Sequence, residues 1–68
     1  MELTLLAHTR TPEGLFNIDL RIDKKRYTYI LNSEYFLRKF LQLYKRKVIH
    51  GRAIAFLNKN KTELAIRE

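Results

Sequence analysis

Sixty-eight residues, 46% of them hydrophobic, with a formal net charge of +7, fit one small domain over residues 1–68 and exclude a two-lobed enzyme or a multi-module scaffold. Ile, Leu, Val and Phe occupy 22 positions, too many for a disordered chain, so a core is expected. Cys is absent and only His8 and His50 are present, which removes disulfides and thiolate metal sites; a domain that hides only about 60% of its unfolded surface must then rely on packing, self-association or a partner.

Leu3 to Thr9, rich in Leu and Thr, reads as a first strand. Thr11-Pro12-Glu13-Gly14 is a turn, because Pro presets φ at its second position and Gly accepts a positive φ near its end. From Leu15 to Ile22, the residues Phe16, Ile18, Leu20 and Ile22 alternate with Asn17, Asp19 and Arg21, the period of a strand with one face in a core. Asp23-Lys24-Lys25 is a polar break. Arg26-Tyr27-Thr28-Tyr29-Ile30-Leu31 is aromatic and β-branched, as a third strand requires.

The period then changes. Leu37, Phe40, Leu41, Tyr44 and Val48 stand at i, i+3, i+4, i+7 and i+11, the stripe of an amphipathic helix running from about residue 33 to about 49. Asn32 or Ser33 can cap its start, Glu34 suits the positive end of its dipole, Lys45, Arg46 and Lys47 suit the negative end, and Gly51 is a natural stop. In the tail, the pattern favours a hairpin in which Ile54 and Phe56 face Leu64 and Ile66 across Asn58-Lys59-Asn60-Lys61. The alternative is a short second helix from Arg52 to Leu57, since Ala, Leu and Arg are good helix formers. The expected fold is α+β: a β-β-β meander, one amphipathic helix on one face, and a C-terminal β-hairpin.

The longest uninterrupted apolar run is Ala53 to Leu57, far short of the roughly 20 residues that cross a bilayer, so no membrane role is expected. The first residues lack the basic start and cleavage motif of a signal peptide, and the expected location is cytoplasmic. No nucleophile elbow, phosphate loop, paired-carboxylate motif or metal cluster is present; neither a catalytic residue, a metal ligand, a cofactor nor a small-molecule substrate is inferred, and the chain reads as a non-enzyme.

Charge is the informative feature. From Lys24 to Lys61 there are eleven basic residues against one acid, Glu34, while the flanks on both sides are slightly acidic. Arg38, Lys39, Gln42, Lys45 and Arg46 share the helix face opposite the apolar stripe, and Lys24, Lys25 and Arg26 cluster at the turn before the third strand. Such a surface attracts a polyanion, and the partner expected is nucleic acid, DNA or RNA. Tyr27 and Tyr29 project from one strand face beside that cluster. Exposed, they could stack on unpaired bases; buried under the helix, which is the favoured reading, they are core. Tyr35 falls off the best apolar stripe.

A second reading makes the chain a small dimerising or adaptor module. Leu3, Leu5 and Leu6 point to both faces of one strand, and a meander with one helix cannot bury both, which favours a homodimer or an acidic protein partner.

Tyr27-Thr28-Tyr29, a following helix with Phe36, Leu37 and Phe40, and then Gly51-Arg52 resemble the KTSC domain, a small module found at the C-terminus of some lysyl-tRNA synthetases, over about residues 15–57. Asn32-Ser33 stands where that family has Val-Pro, and Ile49 where it has Ser. No residue role is carried over.

Overall fold

The computed structural model describes residues 1–67, with side chains through Ile66. The chain forms β1 (Leu3–Arg10), β2 (Phe16–Ile22), β3 (Lys25–Leu31), α1 (Glu34–Tyr44), a single 3₁₀ turn at Lys47–Ile49, α2 (His50–Asn60) and β4 (Glu63–Arg67). All strand pairings are antiparallel and the order across the sheet is β1-β2-β3-β4. The α+β class and the meander follow the alternation in the sequence.

The turns form where their residues allow. Gly14 has φ of +83° and donates to the Thr11 carbonyl at 3.0 Å, and the Thr11 hydroxyl accepts from the Leu15 amide at 3.0 Å, so the Pro-Gly turn closes the first hairpin. The second hairpin turns on Asp23-Lys24. Asp23 sits at φ +55°, a region Asp tolerates better than most residues, and its carboxylate accepts the Glu2 amide at 3.0 Å. That bond ties the entry of β1 to the β2–β3 turn.

Register divides the sheet into two faces. Leu3, Phe16, Ile18, Leu20, Tyr29 and Leu31 are buried together with Leu37 and Phe40 of α1 and Ala53 and Leu57 of α2. Burial of each large side chain in this cluster stabilises the fold by about 1.5–3 kcal/mol. The opposite face carries no helix and is largely polar, with Ile30 the one large apolar residue among its paired positions: Asp19 stands across from Thr28, whose hydroxyl donates to its carboxylate at 2.7 Å, and Arg21 stands across from Arg26.

Five expectations are corrected. The predicted helix over 33–49 ends at Tyr44: Lys45 keeps helical angles, but Arg46 is extended at φ −101° and ψ +92°, and Val48 lies 92% exposed instead of extending the apolar stripe. Residues 50–60 form a second helix, longer than the short alternative, so the C-terminal hairpin does not exist; in a helix Ala53 and Leu57, four apart, both reach the sheet, where each is fully buried. The strand expected around Leu64 and Ile66 does form, but it pairs with β3, setting Leu64 opposite Tyr29 and Ile66 opposite Tyr27. Gly51, read as a stop, lies in the first turn of α2. Ser33 occupies the N-cap position of α1, but its hydroxyl makes no capping bond.

Each helix is fastened to the sheet by one tyrosine hydroxyl. The Leu5 amide of β1 donates to the Tyr44 hydroxyl of α1 at 2.9 Å, and the Tyr29 hydroxyl of β3 donates to Asn58 Oδ1 of α2 at 2.9 Å.

Candidate nucleic-acid interface

The apolar stripe of α1 faces the sheet, so its remaining residues must face water. Glu34, Tyr35, Arg38, Lys39 and Gln42 are all exposed on that outer face, and Lys45 continues it by one residue. Arg46 leaves the helix. It remains exposed, beside Lys47, in the connection to α2. The stripe predicted from spacing therefore exists from Arg38 to Lys45 and then gives way to a connection carrying two further bases, Arg46 and Lys47.

Acids do little to neutralise this surface. Among the described residues there is one ion pair, Arg38 Nη2 to Glu34 Oε2 at 3.5 Å, one helical turn apart with both groups mostly in water. A pair so exposed contributes little and competes weakly with an incoming phosphate. Lys61 is partly occupied, since its ammonium donates to the Asn58 carbonyl at 2.9 Å and so closes the C-terminal end of α2.

The Lys24-Lys25-Arg26 cluster is split by the pleat of the strand. Lys25 pairs with Ile22 and shares the helix-bearing face with Tyr27, whereas Arg26 pairs with Arg21 on the opposite face. Lys24 occupies the turn. This turn lies at the same end of the sheet as the α1–α2 connection: Ile22, its neighbour, pairs with Leu3, and Leu3 borders a cavity of about 520 Å³ with Tyr44, Lys45, Lys47 and His50. Glu2 also lines that cavity, so this end is mixed in sign.

The tyrosines follow the favoured reading, in which Tyr29 and much of Tyr27 lie under the helices, and leave neither free as a stacking platform. Tyr29 is 3% exposed with its hydroxyl engaged, so it offers no free ring to a base; burial pushes that hydroxyl above the ordinary tyrosine value, and neighbouring Tyr27 adds to the shift. Tyr27 is half-buried. The exposed aromatic ring is Tyr35, at 67%, three and four residues before Arg38 and Lys39 and so on their face. Its i, i+3, i+4 spacing with those bases was the available signal. Arg21 was also missed, because alternation marks it only as a water-facing residue; its position opposite Arg26 depends on strand register.

The histidines have structural settings of different kinds. His50 Nε2–H donates to the Tyr44 carbonyl at 2.7 Å, and its ring stacks on Tyr44 with centroids 5.0 Å apart. His8 is exposed on β1. No family model, curated protein or solved structure matches this chain, so the resemblance to the KTSC domain carries no further argument.

Proposed function

We propose that the protein is a small, non-enzymatic nucleic-acid-binding protein that grips phosphates with Arg38, Lys39 and Lys45 on the outer face of α1 and with Arg46 and Lys47 in the connection that follows. One observation carries the reading. These side chains are exposed on one continuous stretch of surface, with a single weak acid partner among the described residues. Lysine and arginine that serve only for solubility are ordinarily mixed with acids. Lys24 and Lys25 supply a flanking contact at the same end, whereas Arg26, on the sheet face without helices, drops out of it. Tyr35 takes over the stacking role considered for Tyr27 and Tyr29, which places an aromatic ring among cations and favours unpaired bases over a closed duplex. The protein acts inside the cytoplasm in this reading.

Titration of duplex DNA, single-stranded DNA and RNA at two salt concentrations tests it. Binding at low salt is expected, weakening as salt rises, with a log–log slope of about 0.7–0.9 per phosphate contacted. Charge reversal at Arg38, Lys45 and Arg46 together lowers affinity for all three, while Tyr35→Ala lowers affinity for the single strands alone. Failure to bind any of them at low salt refutes the proposal.

A further inference from the structure

The two edges of the sheet are built differently. β1 is interrupted by a bulge between Leu5 and Ala7, and its Leu5 amide is already occupied by the Tyr44 hydroxyl. Beyond the bulge it sets His8 and Arg10 opposite Ile18 and Phe16, charged or polar groups on the helix-bearing face. Bulges and charges of this kind stop a strand edge from recruiting another strand. β4 has no bulge, and its two charged residues, Glu63 and Arg67, take register positions on the face without helices. It pairs in unbroken register with β3 over Glu63–Arg67, contains no Pro or Lys, and leaves Ile66 62% and Leu64 37% exposed.

From this edge we infer that the chain self-associates by antiparallel pairing of β4 with β4 of a second copy. The sequence of the strand, Glu-Leu-Ala-Ile-Arg, is complementary to itself. About a two-fold axis through Ala65, Glu63 stands opposite Arg67 of the second copy, and Leu64 stands opposite its Ile66. Opposite charges directly across a strand pair stabilise it and like charges destabilise it, so this register is favoured over its neighbours. The axis runs perpendicular to the sheet. Leu64 and Ile66 of both copies therefore remain on the helix-bearing face, and two four-stranded sheets become one sheet with all the helices on one side. Such pairing covers the largest apolar side chains that β4 exposes and satisfies its outer row of backbone groups. It involves none of the residues assigned to phosphate contact.

Sedimentation equilibrium of the full chain up to millimolar concentration, in about 0.3 M salt to screen the repulsion between two cationic copies, reads the outcome. A dimer is expected. Glu63→Lys and Arg67→Glu, made singly, each set like charges opposite one another twice per dimer and raise the dissociation constant by about tenfold. Combined in one chain, the two substitutions restore opposite charges and return the constant to near its original value. Ile66→Lys, at a largely exposed position whose change leaves the core intact, gives a monomer whose thermal melt matches that of wild type at concentrations too low for wild type to dimerise. A wild-type chain that stays monomeric overturns the inference, as do single charge changes without effect or a double variant that fails to recover.

Discussion

α1 and α2 cover the same face of the same sheet, and both contain eleven residues, but they arise from different causes. α1 has an apolar stripe over Leu37, Phe40, Leu41 and Tyr44, an acid at its first residue and cations just beyond its last. Local sequence and tertiary packing agree along its length. α2 opens on His50-Gly51, has no side-chain cap, and presents only Ala53 and Leu57 as fully buried residues. Its helical state follows from the demand for cover. A four-stranded sheet is too wide for one helix, and the second helix adds Ala53 and Leu57 to the shared core while its Asn58 accepts from Tyr29 of β3. The difference teaches that a helix can be dictated by its own residues or by the face left uncovered beside it.

The tyrosine fastenings allow this contrast to be tested, and the α1 side is the more sensitive. Tyr44→Phe keeps the ring that stacks between Phe40 and His50 but removes the oxygen that accepts the Leu5 amide. That amide lies in a partly buried bulged strand, and leaving it without an acceptor costs about 1–2 kcal/mol. Urea denaturation of the variant measures the loss. A value indistinguishable from wild type would mean that water reaches Leu5 and that α1 is held by its apolar stripe alone.

The same contrast explains what was legible beforehand. The meander could be read because Phe16, Ile18, Leu20 and Ile22 alternate without exception and because Pro12, Gly14 and Asp23 sit where the turns need them. The start of α1 was legible from Glu34 and the stripe. Its end was not: no Gly or Pro interrupts Lys45-Arg46-Lys47, and the chain leaves the helix there so that Ala53 and Leu57 can reach the sheet. Residues 52–57 mix β-forming Ile and Phe with helix-forming Ala and Leu, and such short apolar runs carry no decisive period. In the candidate interface, Arg38 and Lys39 are exposed on α1 as their spacing implies and Arg46 is not on the helix, whereas the split of Lys25 from Arg26 and the pairing of Arg21 with Arg26 required the register.

If α2 owes its form to the sheet, raising its own helical propensity adds stability directly. Gly51 lies in the first turn of α2, its φ is not positive, and a methyl group placed there meets no atom within 4 Å. Gly51→Ala is therefore expected to stabilise the protein by about 0.4–1 kcal/mol, by reducing the freedom of the unfolded chain. A rise in melting temperature of a few degrees checks it. A loss of stability instead would place residue 51 outside a helix and undo the assignment of α2.

The smallest effect at neutral pH belongs to the fastening of α2, and it grows in alkali. Tyr29→Phe frees Asn58 Oδ1, which sits on an exposed residue and can turn to water, so the cost at neutral pH is at most about 0.5 kcal/mol. The Tyr29 hydroxyl is held above its ordinary value first by burial and then by Tyr27, so the folded state keeps its proton longer than the unfolded state does. Below pH of about 10 both states are protonated and this contribution is complete. As pH rises further the unfolded chain ionises first, and stability falls until the folded group has ionised as well. Tyr29→Phe has no phenol to lose there, so its stability declines less steeply than that of wild type above pH of about 10. Urea melts of both proteins across that range measure the two slopes, and parallel curves would show that Tyr29 is as open to water as an unfolded tyrosine, contrary to the tight seat beneath α2.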